Sequence, residues 1–491
     1  MRKRIKSFLF KNTSTGQTVA KNTFWLTVSN FGGRLIKAII IVYAARVLGT
    51  AGYGVLSYTL TLAGFASLFI DPGVNAIVAR ETSKGDYERK MTILSTTFVL
   101  KLVLIAVGAL VVFFIAPFFS TLPGAKALLP VAICIMAFDN IREFLSSFMR
   151  GMEKMEWEAV VFLLTNAAIV VFGFIAITTT PTPLALGWAY AAGTAVGVIA
   201  AFYVLRNYFR EMVSRFSTKI VSPILLSAWP FAITGALGIL LTNADILIIS
   251  WMRSASDVGI YSAAIRIIQV LYLIPTVVQF SVLPLLARLA RKDDRAFRAA
   301  FERIISLVCA ISIPLALGGA ILGNQIMRFV FGSAYAAGGL SFKILMLTML
   351  VDYPATIISA AVFTYDRQKS LIITSVIGGI SNVALDLLLI PRFGIAGSAV
   401  ATLIAQTLAN WYLWRTMKKL NYFKVIPKLK KIIVSGVIMA AATVLFLVLG
   451  VTLIVSILLS AAIYFFLLWA FRESLLIEVK NILLPTREQF S

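Results

Sequence analysis

The stretch "SNVALDLLLIPRFGIAGSAVAT", Ser381 to Thr402, sets two apolar runs back to back around the turn Pro391 to Gly394. A proline and a glycine three residues apart end one helix and start the next. Asn382 and Asp386 stand four residues apart inside the first run, so they share one helical face, and Thr402 lies about two turns into the second. An acid and an amide inside a run that suits hydrocarbon are costly, and such residues are functional candidates by default.

Working outward, the same apolar texture fills the chain. Of 491 residues, 60% are hydrophobic and 13% charged, against about 25% charged in an average soluble protein. A water-soluble globule is excluded. Runs near the roughly 20 residues needed to cross a bilayer recur about fourteen times. The predicted spans cover residues 20–48, 53–78, 91–116, 125–149, 156–178, 184–206, 223–252, 257–286, 300–323, 338–364, 369–390, 394–417, 430–450 and 452–471. No connection exceeds about 20 residues, too short for an extramembrane domain with its own core. An all-α polytopic membrane protein is predicted.

The net charge of +24 is distributed as a membrane protein distributes it. Lys and Arg concentrate at the two termini and on the even-numbered connections, which predicts a multi-pass protein of the cytoplasmic membrane with both termini in the cytoplasm. The basic clusters "LARLARKDDRAFRAAFER" and "MKKLNYFKVIPKLKK" suit anionic lipid, and nucleic acid is not expected as a partner. "MRKRIKSFLFK" lacks the pattern of a removable signal peptide. Cys134 and Cys309 lie in separate apolar runs and are expected to pack, while the absence of histidine excludes Ser/His triads and imidazole metal sites.

Weak internal matches recur in one order at offsets of about 205 to 215 residues. Gly54 of "GYGVLSY" pairs with Gly259 of "DVGIYSA", "VAR" ending at Arg80 with "LAR" ending at Arg288, Lys154 with Lys369, and Gly187 with Gly397. Six spans per copy make the repeats parallel, and such repeats place a substrate cavity at their interface. The expected organisation is an N-terminal lobe over 1–217, a C-terminal lobe over 218–420, and a helix pair with a cytoplasmic tail over 421–491.

Polar residues inside the spans fall in stripes. In the first, Thr23, Thr27, Asn30, Arg34 and Lys37 recur at steps of four and three. An arginine at bilayer depth, costing about 2.5–3.5 kcal/mol on insertion scales, calls for an anion or water, or else a salt bridge to Asp139 or Glu143. Ser262, Arg266 and Gln269 repeat the pattern in the eighth span, with Asp257 as the alternative partner of Arg266. Two guanidinium groups suit a phosphate or diphosphate, whose oxygens they bond in pairs. Asp139, Arg142, Glu143, Ser146 and Arg150 in the fourth span, and Thr348, Asp352, Thr356 and Ser359 in the tenth, are candidate cavity walls or interhelix bonds. Asp245 in the seventh span adds a carboxylate. With Asn382, Asp386 and Thr402 it makes an oxygen-only set suited to Na⁺ or to a proton, the alternative being an uncharged Asp386 bonded to Asn382.

On "ARVLGTAGYGVLSYTL", Ala45 to Leu60, together with "NVALDLLLIPRFGIAGSAVAT", the chain resembles the polysaccharide flippases of the MOP exporter superfamily, which are related to the lipid II flippases. The resemblance implies movement of a polyprenyl-diphosphate-linked glycan across the membrane by alternating access, in a lipid environment and as a monomer, with no enzymatic activity. It implies diphosphate contacts for Arg34 and Arg266, with Asn30, Lys37 and Gln269 beside them. Ile40 stands where a further basic residue is expected, and Lys37 is the nearest substitute. It also implies a Na⁺ site at Asp245, Asn382, Asp386 and Thr402, with no other cofactor. A multidrug exporter of the same superfamily is the alternative, although its cavity should be acidic and aromatic. A membrane glycosyl polymerase or ligase is a remoter one.

Overall fold

The computed structural model describes residues 15–84, 86–119 and 122–472, and among them there is no strand. The helices sort into two units, Met1–Ser262 and Ala263–Ser491. The first holds α1 (Thr15–Ile70), α2 (Val74–Thr82), α3 (Tyr87–Phe119), α4 (Leu129–Gly151), α5 (Met155–Thr179), α6 (Pro183–Val204), α7 (Val221–Met252) and the start of α8 (Ala255–Leu271). The second continues with α9 (Leu273–Leu289), α10 (Asp294–Phe331), α11 (Gly339–Leu347), α12 (Met349–Thr364), α13 (Gln368–Leu420), α14 (Lys430–Val448) and α15 (Leu453–Ala470).

Two helices are far too long for a single crossing. α1 runs 56 residues and α13 runs 53, when about 20 suffice at a rise of 1.5 Å per residue. Each is broken by a glycine with positive φ, Gly49 at 69° and Gly394 at 59°, a backbone state that a side chain would strain. The breaks fall where the sequence separates the first span from the second and the eleventh from the twelfth. The second span ends earlier than predicted, at Ile70, because the Asp71–Gly73 corner, with Gly73 at φ 84°, starts a separate helix α2.

Ten helices among the described residues are long and apolar enough to cross a membrane. That tally takes Phe31–Ile70 and Gln368–Leu420 as one run each, and α4, which carries four charged residues between Asp139 and Arg150, is not among them. Each predicted span is helical over most of its length, the second being interrupted at Asp71–Gly73. Fourteen crossings remain the expectation of the sequence, and a multi-pass, all-α membrane protein is what the fold shows. Large apolar side chains such as Phe114, Ile199, Leu388 and Phe466 are exposed, as faces turned toward lipid require.

In the first unit, Phe144, Leu145, Phe148 and Met149 of α4 are buried with Leu94 and Phe98 of α3 and Ala201 of α6. This apolar stripe fixes the roll of α4 and puts its charges on the other face. α7 also packs on α1, α2 and α3, so it sides with the first unit even though the sequence offsets make it the opening helix of the second repeat. Gly54 and Gly259 meet each other: a Cβ on Gly54 would lie 1.8 Å from the Ala255 carbonyl oxygen, and one on Gly259 1.9 Å from that of Thr50. Beside them Ser256 Oγ donates to Thr50 Oγ1 at 2.8 Å.

In the second unit, the N-terminus of α10 is capped by Asp293, whose Oδ1 accepts from the amides of Arg295 and Ala296. α14 and α15 pack on α10, where Tyr464 donates to the Ala310 carbonyl at 2.8 Å. Between these helices lies a cavity of about 530 Å³ walled by Pro314, Gly318, Met346, Met439, Tyr464 and Phe465 among others.

The repeat is visible in local geometry. Glu153 after α4 has φ 57° and Asp366 after α12 has φ 55°. The next amides, of Lys154 and Arg367, reach back five residues to the carbonyls of Met149 and Val362 at 2.9 and 3.2 Å. Both helices therefore end in the same left-handed turn. This pairs Lys154 with Arg367 rather than with Lys369, a register that residue identity alone misplaced.

Candidate functional site

The first stripe sits on α1. Arg34 is exposed and forms no ion pair among the described residues. Lys37, one turn on, holds its ammonium 4.4 Å from the ring centre of Tyr190 on α6, a cation–π contact. The side chains of Thr23, Thr27 and Asn30 lie outside the described set. Asp139 and Glu143, the sequence's alternative partners for Arg34, are engaged elsewhere. Arg142 lies 3.3 Å from Asp139 and 3.8 Å from Glu143, and Arg150 is 3.3 Å from Glu143 and also pairs with Glu158 of α5. The bridge that would have neutralised Arg34 is not made.

Further charged pairs in this unit were not singled out by spacing. Lys101 of α3, 1% exposed, lies 3.6 Å from Asp71, and Lys21 of α1, equally buried, lies 3.0 Å from Glu156 of α5. A lysine inside an apolar run was the available signal for Lys101. Its partner stands in the corner after α1, which no helical periodicity reaches. Asp245 of α7 is buried, and the hydroxyl of Tyr261 on α8 donates to it at 2.5 Å. Asp257 caps its own helix, accepting from the amide and hydroxyl of Ser254.

In the second unit, Arg266 donates to Gln269 Oε1 at 2.9 Å, so the two read together from the sequence are together in space. Asp352 accepts from Tyr272 at 2.7 Å and from Asn410 at 2.8 Å, and Tyr272 also meets the Thr348 hydroxyl at 2.5 Å. It ties α12 to α13 and to the α8–α9 junction.

The break at Gly394 folds α13 back on itself and brings Asn382, Asp386 and Thr402 into one buried region. Asn382 Nδ2 reaches Thr402 Oγ1 at 3.4 Å, and Thr402 in turn donates to the Ser398 carbonyl at 3.0 Å. Asn382 is 1% exposed and Asp386 fully buried. The Asn382 Oδ1 accepts no hydrogen bond among the described residues. A buried acceptor without a donor is uncommon and calls for an explanation, a cation being one. The described residues hold no group of three or more Asp, Glu, His or Cys able to take a metal. One carboxylate among neutral oxygens fits a monovalent ion or a proton better than a divalent one.

Long apolar helices with buried carboxylates and a guanidinium exposed within a candidate span define a polytopic membrane protein of transporter architecture. The chain belongs to the polysaccharide biosynthesis protein family, whose model matches residues 19–290. It is 25% identical over 406 residues to the probable flippase AglR of Haloferax volcanii, covering 80% of this chain and 82% of that one. It is 22% identical over 395 residues to the probable low-salt glycan biosynthesis flippase Agl15 of the same organism, covering 79% and 81%. Among solved structures it is similar in fold to the lipid II flippase MurJ in an inward closed conformation, with a TM-score of 0.77 at 18% identity over 91% of this chain and 99% of that one.

Proposed function

We propose that this protein is a flippase for a lipid-linked glycan whose sugar and lipid are joined by a diphosphate, and that it works by ion-coupled alternating access. The observation that carries the reading is Arg34, a guanidinium exposed on the first span while Asp139 and Glu143, the alternative partners offered by the sequence, are held by Arg142 and Arg150. Its charge is available to an anion, and a planar fork suits diphosphate oxygens. Arg266, bonded to the neutral Gln269, is the second donor in this reading, with Lys37 and Asn30 as supporting contacts. The almost wholly apolar cavity beside α14 and α15 has the chemistry of an isoprenoid chain. The likeness to a probable flippase and to a probable glycan biosynthesis flippase supports the flipping of a glycan.

Two repeats, 1–217 and 218–420, with 421–491 appended, are the moving parts of this mechanism. Asp245, Asn382, Asp386 and Thr402 would hold the coupling Na⁺ or proton. Such an ion shifts the conformational equilibrium only by its differential affinity for the two states.

The test is transport of a fluorescent diphosphate-linked oligosaccharide in proteoliposomes. Arg34→Ala and Arg266→Ala are each expected to abolish transport in protein that still inserts and folds. Arg34→Lys is expected to keep part of it, because an ammonium lacks the paired donors. Full activity in both alanine variants overturns the reading.

A further inference from the structure

We propose that a second cavity, on the charged face of α4, is a subsite for uncharged, hydroxyl-rich sugar residues; this deepens the flippase reading and rests on it for the sugar's origin. The cavity has a volume of about 620 Å³, within the range of roughly 300–1,000 Å³ typical of small-molecule sites. α4 supplies Asp139, Arg142, Glu143, Ser147 and Arg150, the corner after α1 supplies Asp71, the start of α2 supplies Asn75, and the facing wall is Ala232, Gly235 and Ala236 of α7 with Ile239 beside them.

Charge and hydrogen-bond valence together select the ligand. Each lining carboxylate has a cation within 4 Å: Asp71 has Lys101, Asp139 has Arg142, and Glu143 lies between Arg142 and Arg150, the latter shared with Glu158, so four carboxylates face three cations. The site therefore offers little net charge to a phosphate or to a cationic drug, and it has no aromatic lining for the latter. Three polar atoms on its lining residues are unpartnered. Ser147 Oγ, on a residue 1% exposed, Asn75 Oδ1 and Arg142 Nε are buried without hydrogen-bond partners among the described residues. They are an acceptor, a donor and a group that can be either. A vicinal diol presents both functions at every oxygen, whereas a phosphate group only accepts. The alanine and glycine wall of α7 leaves room for the apolar C–H face of a pyranose.

The experiment uses the full-length protein in lipid nanodiscs and saturation-transfer NMR with three probes: a panel of neutral and N-acetylated disaccharides, a uronic-acid disaccharide, and farnesyl diphosphate. At least one neutral or N-acetylated disaccharide is expected to bind, and the uronic acid is not. Gly235→Leu is the principal variant. A Cβ at Gly235, a residue lining the cavity, meets nothing within 4 Å, so the added side chain takes up cavity space without a backbone clash. It is expected to weaken sugar binding by about ten-fold or more, with farnesyl diphosphate binding unchanged. Ser147→Ala is expected to weaken it by about three- to ten-fold, the effect of one hydrogen bond. Absence of neutral-sugar binding, sugar binding that survives Gly235→Leu, or displacement of sugar by farnesyl diphosphate would each overturn the proposal. Failure of farnesyl diphosphate to bind, or its indifference to Arg34→Ala, strikes instead at the diphosphate reading and leaves the sugar result standing.

Discussion

Asn382 carries a buried amide whose nitrogen is spent on Thr402 and whose oxygen has no donor among the described residues. Leaving such an acceptor unsatisfied costs roughly 1–3 kcal/mol, a cost that a bound cation removes. Asp386, one turn along and fully buried, would supply the charge. Asp386→Asn is therefore expected to leave farnesyl diphosphate binding nearly intact while removing the dependence of transport on ion gradients. The check is transport under imposed Na⁺ and pH gradients. If Asp386→Asn and Asp245→Asn both transport normally with an unchanged response, these residues are interhelix fasteners. This cluster was legible because residues 382 and 386 obey helical spacing and residue 402 follows a proline–glycine turn. Tyr261 on Asp245 was not, since a 16-residue separation around the α7–α8 corner has no period to betray it. Lys101 with Asp71 was hidden for the same reason.

Among the elements, the starts of α8 and of the helix after Gly49 approach so closely that neither glycine leaves room for a side chain. The contact is reciprocal: Gly54 faces the Ala255 carbonyl, Gly259 that of Thr50, and these residues are mates at the same offset of about 205 that the repeat shows. A disulfide needs its Cα atoms within about 7 Å, and the hydroxyls of Thr50 and Ser256 are 2.8 Å apart. In a background lacking Cys134 and Cys309, cysteines at Thr50 and Ser256 are expected to cross-link readily under mild oxidation. Adding Gly259→Leu is expected to suppress most of that cross-linking, because the new side chain must push the helices apart. A cross-link yield unchanged by Gly259→Leu, read on a gel, would refute the close approach. The sequence marked Gly54 and Gly259 as mates but gave no sign that they touch, because self-similarity reports equivalence and not proximity. α2 was equally invisible, as its nine residues continue an apolar run and only the Asp71–Gly73 corner separates them.

For the molecule as a whole, composition made the membrane class and helical content legible, and the charge pattern led to an expected orientation, while side-chain contacts show which connections lie together within each unit. In the first unit, Lys21 near the N-terminus pairs with Glu156 after the fourth predicted span. Arg215, after the sixth, pairs with Glu88, after the second, and Tyr87 donates to Glu211 at 2.5 Å. In the second unit, Asn421, after the twelfth span, donates to Asp294 and to the Tyr365 hydroxyl, after the eighth and tenth, at 3.2 and 3.1 Å, and Lys428 is 2.7 Å from Glu302. Within each unit the even-numbered connections thus gather at one end, as they must if the chain reverses at every span. They are also the connections rich in Lys and Arg, and the positive-inside rule assigns such an end to the cytoplasm. Thr180, exposed between the fifth and sixth spans, and Gln368, exposed between the tenth and eleventh, should accordingly face opposite sides. Single cysteines placed there in the cysteine-free background are expected to react with a membrane-impermeant maleimide from outside intact cells at position 180, and at position 368 only after permeabilisation. Labelling at 180 solely from within would invert the assignment and put both termini outside. Labelling of both positions from one side would mean an even number of crossings between them, where the predicted spans six through ten give five; that outcome requires one of those five helices not to cross, and it would locate the error in the span count rather than in the rule that orients it.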